Sequence, residues 1–195
     1  MKIRFAATLL LAALLAGCGI NSVPTAEENA KGKWANVQAD YQRRADLIPN
    51  LVETVKGFAK QESTVLTQVT EARAKATQTV LSPDDLDDPA KVKAFQDAQG
   101  AVSAALVNIR NITEAYPELK SNDNFLALQS QLEGTENRIT IARRDYNGAV
   151  QAYNTRIRTF PDMIGAKVIH GAKPMVPFQA KAGSEDAPKV DFSAG

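Results

Sequence analysis

The 195-residue chain has one cysteine, one histidine and almost no excess of charge of either sign. A single cysteine excludes an internal disulfide, so packing alone must stabilise the fold. Beyond residue 17 there are 21 basic and 22 acidic side chains, a balance that argues against nucleic acid as a partner. No stretch alternates apolar and polar residues over a useful length, so the sequence predicts an all-α protein without a sheet.

Catalytic motifs are also scarce. His170 stands alone in an irregular C-terminal region, and the sequence contains no HExxH, GxSxG, phosphate loop or spaced set of cysteines and histidines. Acidic residues do cluster at one point of the chain, at Asp84, Asp85, Asp87 and Asp88. The prolines on either side of this cluster are typical of a solvated corner with helix caps rather than of a metal site. We therefore predict a protein that is not an enzyme and has no metal or cofactor.

The N-terminus carries an export signal. Two basic residues precede an apolar run over 5–15, which is too short to be a comfortable membrane span and is typical of a signal peptide. The following sequence, Leu15-Ala16-Gly17-Cys18, resembles the lipobox of bacterial lipoproteins. That resemblance implies cleavage before Cys18 and acyl chains on its sulfur. Each CH₂ that an acyl chain buries contributes about 0.8 kcal/mol to membrane attachment.

The expected boundaries follow from this signal. We predict a signal peptide over 1–17, a lipid-anchored tether over 18–25, a helical bundle over 26–178 and a disordered tail over 179–195. Gly19 rather than aspartate follows the cysteine, which in a Gram-negative cell resembles sorting to the outer membrane, facing the periplasm. No second apolar run is long enough to span a bilayer, so the lipid on Cys18 is the expected attachment.

A heptad pattern begins at Trp34 and keeps its phase for more than three heptads, through Tyr41, Ile48, Val55, Glu62, Val69 and Ala76. Such a seam predicts one long helix over 26–80 in a left-handed bundle. Pro49 lies inside it and must disturb the backbone near Ala45. Two interpretations stay open: three long helices with the first kinked near Pro49, or four if the chain folds back at 43–49.

Two further helices are expected. One follows the cap Asp88 and ends before Pro117, and the next follows Ser121 or Asn122 and ends at Pro161. Short connections make sequence neighbours antiparallel, so the architecture is a long up-and-down bundle. Glycines at 134 and 148 in the last long helix suggest close approach of a neighbouring helix.

Beyond Pro161 the chain is broken by glycine and proline. The apolar residues of this region are expected to cover one end of the bundle; they are Met163, Ile164, Val168, Ile169, Val176 and Phe178.

Several blocks of residues carry a family resemblance. They are 43–55 (RRADLIPNLVETV), 116–120 (YPELK), Phe125, Leu128-Gln129, Thr135-Glu136, Ala142-Arg143-Arg144, Tyr146-Asn147, Tyr153-Asn154 and Phe160-Pro161. Their order and spacing resemble the LemA family over about residues 26–178. The resemblance implies a membrane-attached helical bundle that faces the envelope, without an established molecular activity. Most members are similar to proteins with an N-terminal transmembrane helix, whereas this chain has Cys18, so we interpret it as a lipoprotein-anchored member.

Polar residues of these blocks are candidates for an interhelical layer. They are Arg43, Arg44, Asp46, Pro49, Asn50, Glu62, Glu136, Arg143, Arg144, Tyr146, Asn147, Tyr153 and Asn154. Arg44 and Glu62 fall where the seam calls for apolar side chains, so we expect Arg43 or Arg44 and Asp46 to pair with Glu136, Arg143 or Arg144. The alternative is that the arginines reach a solvated rim. Both tyrosines should point inward, with the asparagines at a flank.

Two functions fit these features. The first is a non-enzymatic envelope lipoprotein that presents its bundle for interaction with envelope proteins, as a scaffold. The second is a carrier or sensor that holds an apolar or lipid ligand within the bundle. Seams filled with aliphatic and aromatic residues favour a closed core and so the first.

Overall fold

The structure, a computed structural model, describes residues 18–179. Its helices are α1 (Cys18–Phe58), α2 (Ser63–Gln78), α3 (Pro89–Ile112), α4 (Pro117–Lys120), α5 (Asp123–Arg156) and α6 (Asp162–Val168), with a 3₁₀ turn at Pro83–Asp85. Within these residues there is no strand. The predicted all-α, up-and-down bundle is confirmed. The predicted signal peptide over 1–17 lies outside the described residues, and so does all of the predicted tail over 179–195 except Gln179.

The longest helices, α1 and α5, form an antiparallel pair along their whole length. Arg44 meets Glu136 and Ser22 meets Arg156, so residue numbers fall on one helix as they rise on the other. Helices α2 and α3 are shorter and pack on each other. They accompany mainly the second half of α1, toward Phe58, and we call that end of the bundle the distal end. The opposite end of the bundle, at the start of α1, contains the predicted lipid attachment at Cys18, and we call it the anchor end. The first turns of α3 also reach Trp34, whose ring centre lies 5.2 Å from that of Phe95.

At the anchor end, loops and the C-terminal segment replace the missing helices. Leu81 and Leu86, α6 and the segment 171–179 close the core around Trp34, and the side chains of Met175 and Phe178 are buried there. A second apolar cluster occupies the distal half. It contains Ile48, Leu51 and Val55 of α1, Ala59 just after it, and the facing parts of α2, α3, α4 and α5. Arg44 lies at the level between the two clusters.

Helix α1 does not break at its prolines. It continues through Pro24 and Pro49 and ends at Phe58, where the hydrogen bond from Glu62 N to Ala59 O, at 3.1 Å, closes a turn. The single helix over 26–80 and the fold-back at 43–49 were both wrong: four long helices are present, but the chain reverses about ten residues after Pro49. Heptad phase survived because the turn returns Val69 and Ala76 to the core on α2.

Each proline frees one carbonyl four residues earlier, and a side chain from another part of the fold contacts it. Arg73 Nε of α2 donates to the oxygen of Ala45 at 2.6 Å, and His170 Nε2 lies 3.1 Å from the oxygen of Ile20. Proline normally costs an interior helix about 3 kcal/mol, in part through this lost hydrogen bond. Tertiary partners for both carbonyls therefore explain why α1 stays helical.

The segment expected to be a tether is helical as well. Residues 18–25 form the first turns of α1, and Val23 is fully buried against the anchor-end cluster. The sequence pattern missed this because Pro24 resembles a break, whereas contacts with the C-terminal region hold the turn in place.

The helix caps that were predicted from the sequence are present at the starts of α3 and α5. Asp88 accepts hydrogen bonds from the backbone of Ala90 and Lys91, and Asn122 accepts one from Phe125 N, so both predicted caps are confirmed. The expectation for the glycines was wrong, because a Cβ added at Gly134 or Gly148 would meet no atom within 4 Å.

Candidate functional site

The polar layer between the two cores is built around Arg44, whose side chain is only 2% exposed. Its Nη1 donates to Glu136 Oε1 at 2.8 Å and to Ser103 Oγ at 2.9 Å. Its Nη2 donates to the side-chain oxygen of Gln99 at 2.6 Å and to the Gln99 carbonyl at 3.0 Å. The guanidinium also lies 5.0 Å from the ring centre of Tyr41. A buried charge therefore holds α1, α3 and α5 together, with its hydrogen bonds made.

Of the pairings expected across the helices, the structure brings together Arg44 and Glu136. Arg43 and Asp46 are exposed, and Asp46 accepts a hydrogen bond from Gln42 at 2.7 Å. Arg143 and Arg144 do not join the layer. Arg144 is exposed, and its nearest charge is the neighbouring Asp145 at 3.9 Å.

The other candidates lie outside the layer. Glu62 sits in the turn after α1 rather than on a helical seam, and it accepts a hydrogen bond from the hydroxyl of Tyr116 at 3.1 Å. Pro49 and Asn50 face solvent.

The sequence analysis missed Gln99 and Ser103, which supply three of the four acceptors of Arg44. They lie four residues apart beside the apolar stripe of α3, a spacing that places both on one side of a helix. That pair of polar residues was the available signal.

Tyr146 and Tyr153 are buried, as expected, and their asparagine neighbours bind the C-terminal segment. Asn147 bonds both backbone groups of Phe178, at 2.8 and 2.9 Å, and Asn154 does the same for Met175, again at 2.8 and 2.9 Å. We call residues 171–179 the C-terminal strap. Two asparagines seven residues apart on a helix lie about 10 Å apart, which matches three residues of extended chain.

Further contacts tie this strap to the core. Tyr146 donates its hydroxyl to Val176 O at 3.1 Å, and Arg143 donates to Gln179 O at 3.1 Å while lying 4.7 Å from the ring of Phe178. The ring of Phe178 lies 5.8 Å from that of Trp34. The strap is thus part of the fold, and burial raises the pKa of Tyr146 beneath it.

An open groove lies between α3 and α5 at the distal end, because these two helices approach each other much less closely than either approaches its main partner. Its volume is about 520 Å³. Aliphatic and aromatic side chains line its floor, and polar groups form its rim, among them Arg110 and Glu133 at 3.9 Å. Val107 of α3 and Gln129 of α5 line opposite walls of the groove, and Leu51 of α1 also lines it.

The acidic corner is engaged in local structure. Asp85 bonds Ser82 and Lys91, and these two contacts lower the pKa of its carboxyl. Asp88 caps α3, and Asp87 pairs with Lys173 of the strap at 3.0 Å. Across residues 18–179 no cluster of three or more histidine, cysteine or acidic side chains could hold a metal ion.

No helix in the described part of the chain has both the length and the apolar character needed to cross a membrane.

The LemA family model matches residues 33–192. Magnetosome protein MamQ 2 of Paramagnetospirillum magneticum is 27% identical over 175 residues, covering 82% of this chain and 62% of that protein. Magnetosome protein MamQ of Magnetospirillum gryphiswaldense is 26% identical over 157 residues, covering 72% of this chain and 58% of that protein. Protein LemA of Metamycoplasma hominis is 27% identical over 127 residues, covering 64% and 52%. The chain thus spans about half to three fifths of the length of these relatives.

Proposed function

This chain belongs to the LemA family, and from that premise we propose that it is a non-enzymatic envelope lipoprotein that presents its helical bundle to a protein partner. A lipid on Cys18 attaches it to a membrane, which in a Gram-negative cell is the outer membrane, with the bundle in the periplasm. The partner is an envelope protein that docks an amphipathic helix.

The observation that carries this proposal is the α3/α5 groove. It has an apolar floor and a polar rim, the arrangement that receives the apolar face of an amphipathic helix. Leu51 of α1 lies at the floor, 33 residues after Cys18, so a straight helix places the groove about 50 Å from the anchor. A docking surface at that distance from the lipid can reach proteins beyond the headgroups.

The interior supports a binding role rather than chemistry. Every buried side-chain polar atom in residues 18–179 has a hydrogen-bond partner, and Arg44 is fully occupied by its layer. The groove-lining acids, Glu133 and Glu136, are partly exposed and face arginines.

The second candidate is a carrier for an apolar or lipid ligand, and the same groove favours it by volume, since small-molecule sites measure about 300 to 1,000 Å³. Such sites enclose most of their ligand, however, whereas this groove is open between two helices. We rank the carrier second for that reason.

The test places a photoreactive residue at Gln129 of the full-length lipoprotein in living cells. We expect discrete covalent adducts with one protein, and their loss when Val107→Arg places a charge on the opposite wall. The matched control is Ile141→Arg, since Ile141 is 51% exposed and Val107 52% exposed, but Ile141 lies outside the groove. Adducts with lipid alone favour the carrier. Adducts that survive Val107→Arg contradict docking in the groove.

Membrane attachment is tested separately. The Cys18→Ser variant should leave the membrane fraction or stay unprocessed, because the sulfur that carries the lipid is gone. Processed protein that still fractionates with membranes would contradict the lipid anchor.

A further inference from the structure

An exposed apolar surface surrounds the anchor end of the bundle. The large apolar side chains that are at least a third exposed number ten among the described residues, and half of them lie here: Ile20, Phe160, Ile164, Val168 and Ile169. Val168 is 78% exposed and Phe160 67%. We call these five residues the anchor-end patch. The sequence analysis expected Ile164, Val168 and Ile169 to cover the bundle end, and that expectation was wrong.

The fold turns this patch outward for a local reason. Helix α6 packs against α1 through Gly165 and Ala166, which are buried. Ile164 and Val168 are one helical turn apart and therefore share a face, and that face is exposed to solvent. Because α6 buries its small residues and exposes its large ones, it has an apolar surface that nothing among residues 18–179 covers.

The position of the patch indicates what covers it. His170 Nε2 lies 3.1 Å from the carbonyl of Ile20, so the end of α6 sits beside the first turns of α1. Cys18 is two residues before Ile20, and the apolar run over 5–15 precedes Cys18 closely in the sequence. Whatever attaches this chain to a membrane through these residues brings the patch to the bilayer surface.

Charge near the patch fits a phospholipid headgroup layer. Lys167 and Arg158 are exposed beside the apolar side chains. The nearby Asp162 is paired with Arg156 at 3.6 Å, and Asp87, which lies near His170, is paired with Lys173 at 3.0 Å. Basic side chains at the border of an apolar face can reach anionic headgroups while their stems lie along the acyl boundary.

From these contacts we infer that the anchor-end patch is a membrane-interface surface, which inserts Phe160, Ile164 and Val168 at the headgroup–acyl boundary of the bilayer. The inference rests on the proposed attachment of this end to a membrane, but not on the groove. A lipid alone fixes one point of the chain, whereas a second contact through α6 sets how the bundle stands on the membrane.

The test uses the purified full-length lipoprotein in vesicles of phosphatidylcholine and phosphatidylglycerol with brominated acyl chains, which quench tryptophan fluorescence at short range. Ile164→Trp and Val168→Trp introduce the probe at two exposed positions, so neither should disturb the core. Leu126→Trp and Ile141→Trp are controls of comparable exposure elsewhere on the bundle, outside the groove. The native Trp34 is fully buried and serves as a constant background.

We expect the two α6 probes to be quenched at least about twofold more than the controls, because an interfacial apolar face lies about 5 to 10 Å into the boundary. Equal quenching at all four positions would overturn the inference. A blue shift at α6 without quenching would also overturn it, because a protein surface or a second copy would then cover the patch. The readout does not involve the groove, so a failed docking experiment and a failed insertion experiment are distinguishable.

Discussion

Replacing Arg44 tests whether the polar layer stabilises the bundle. Arg44→Ala removes four hydrogen bonds, each with a net contribution of about 1 kcal/mol, and leaves a cavity between the two cores. It also leaves the side-chain oxygen of Gln99, a buried residue, without its hydrogen-bond donor Arg44. We expect the free energy of unfolding to fall by about 3 to 5 kcal/mol, comparable with removal of one partner of a buried ion pair.

The neighbouring residues supply the comparison. Arg43→Ala changes an exposed side chain of the same type and should alter stability by no more than about 0.5 kcal/mol. Glu136→Gln keeps an acceptor near Arg44 and removes only the charge, and the Glu136 side chain is 42% exposed, so solvent screens much of the pair. We expect a loss of about 1 kcal/mol.

Urea unfolding followed by circular dichroism at 222 nm measures the stability of the unsubstituted protein, the three single variants and the Arg44→Ala/Glu136→Gln double variant. The double variant should be more stable than the sum of the single effects implies, by about 0.5 to 1 kcal/mol, because the same interaction is removed twice. Additive effects, or a loss at Arg44 no larger than at Arg43, would refute a layer organised by this arginine.

Other parts of the fold give further predictions, about stability, hydrogen exchange and titration. Gly134→Ala and Gly148→Ala should each raise stability by up to about 1 kcal/mol in thermal unfolding, because α5 gains helix propensity and the new methyl group meets no atom. Asn154→Leu should speed hydrogen exchange in the C-terminal strap while exchange in α3 stays unchanged; equal acceleration in both would contradict a local clamp. Burial raises the pKa of all four tyrosines above its usual value of about 10. The folded chain therefore keeps protons that the unfolded chain releases, so stability falls as pH rises past about 10, and tyrosinate absorbance should appear at a higher pH in the folded chain than in the urea-unfolded chain.

The helical periodicity and the helix caps of this chain could be predicted from the sequence, because both depend on residues that are close together in the chain. The seven-residue spacing of Trp34, Tyr41 and Ile48 is a property of one helix, and the cap at Asp88 needs only the next three residues. The continuation of α1 through Pro49 could not be predicted in the same way. It depends on Arg73, which is 28 residues from the carbonyl that it bonds.

The features of the candidate site also differ in whether they could be predicted from the sequence. The inward tyrosines follow from helical phase, and the Arg44–Glu136 contact follows from a charge on an apolar seam. The role of Asn147 and Asn154 in holding the strap could not be predicted, because the segment that they bind has no periodic pattern. The α3/α5 groove depends on how far apart two helices pack, and that separation is set by α2 and α1 rather than by either groove helix.

Energy transfer from the bundle to the membrane surface tests the central claim that one end is anchored and the other is presented. Cys18 is the only native cysteine, so in the lipidated protein Val107→Cys and Val168→Cys each provide one free thiol for a fluorescent donor. With acceptor lipids in the vesicle, the donor at Val168 should be quenched strongly and the donor at Val107, about 50 Å along the bundle, only weakly. Strong quenching at both positions would mean that the bundle lies flat on the bilayer, and it would contradict a groove displayed away from the membrane.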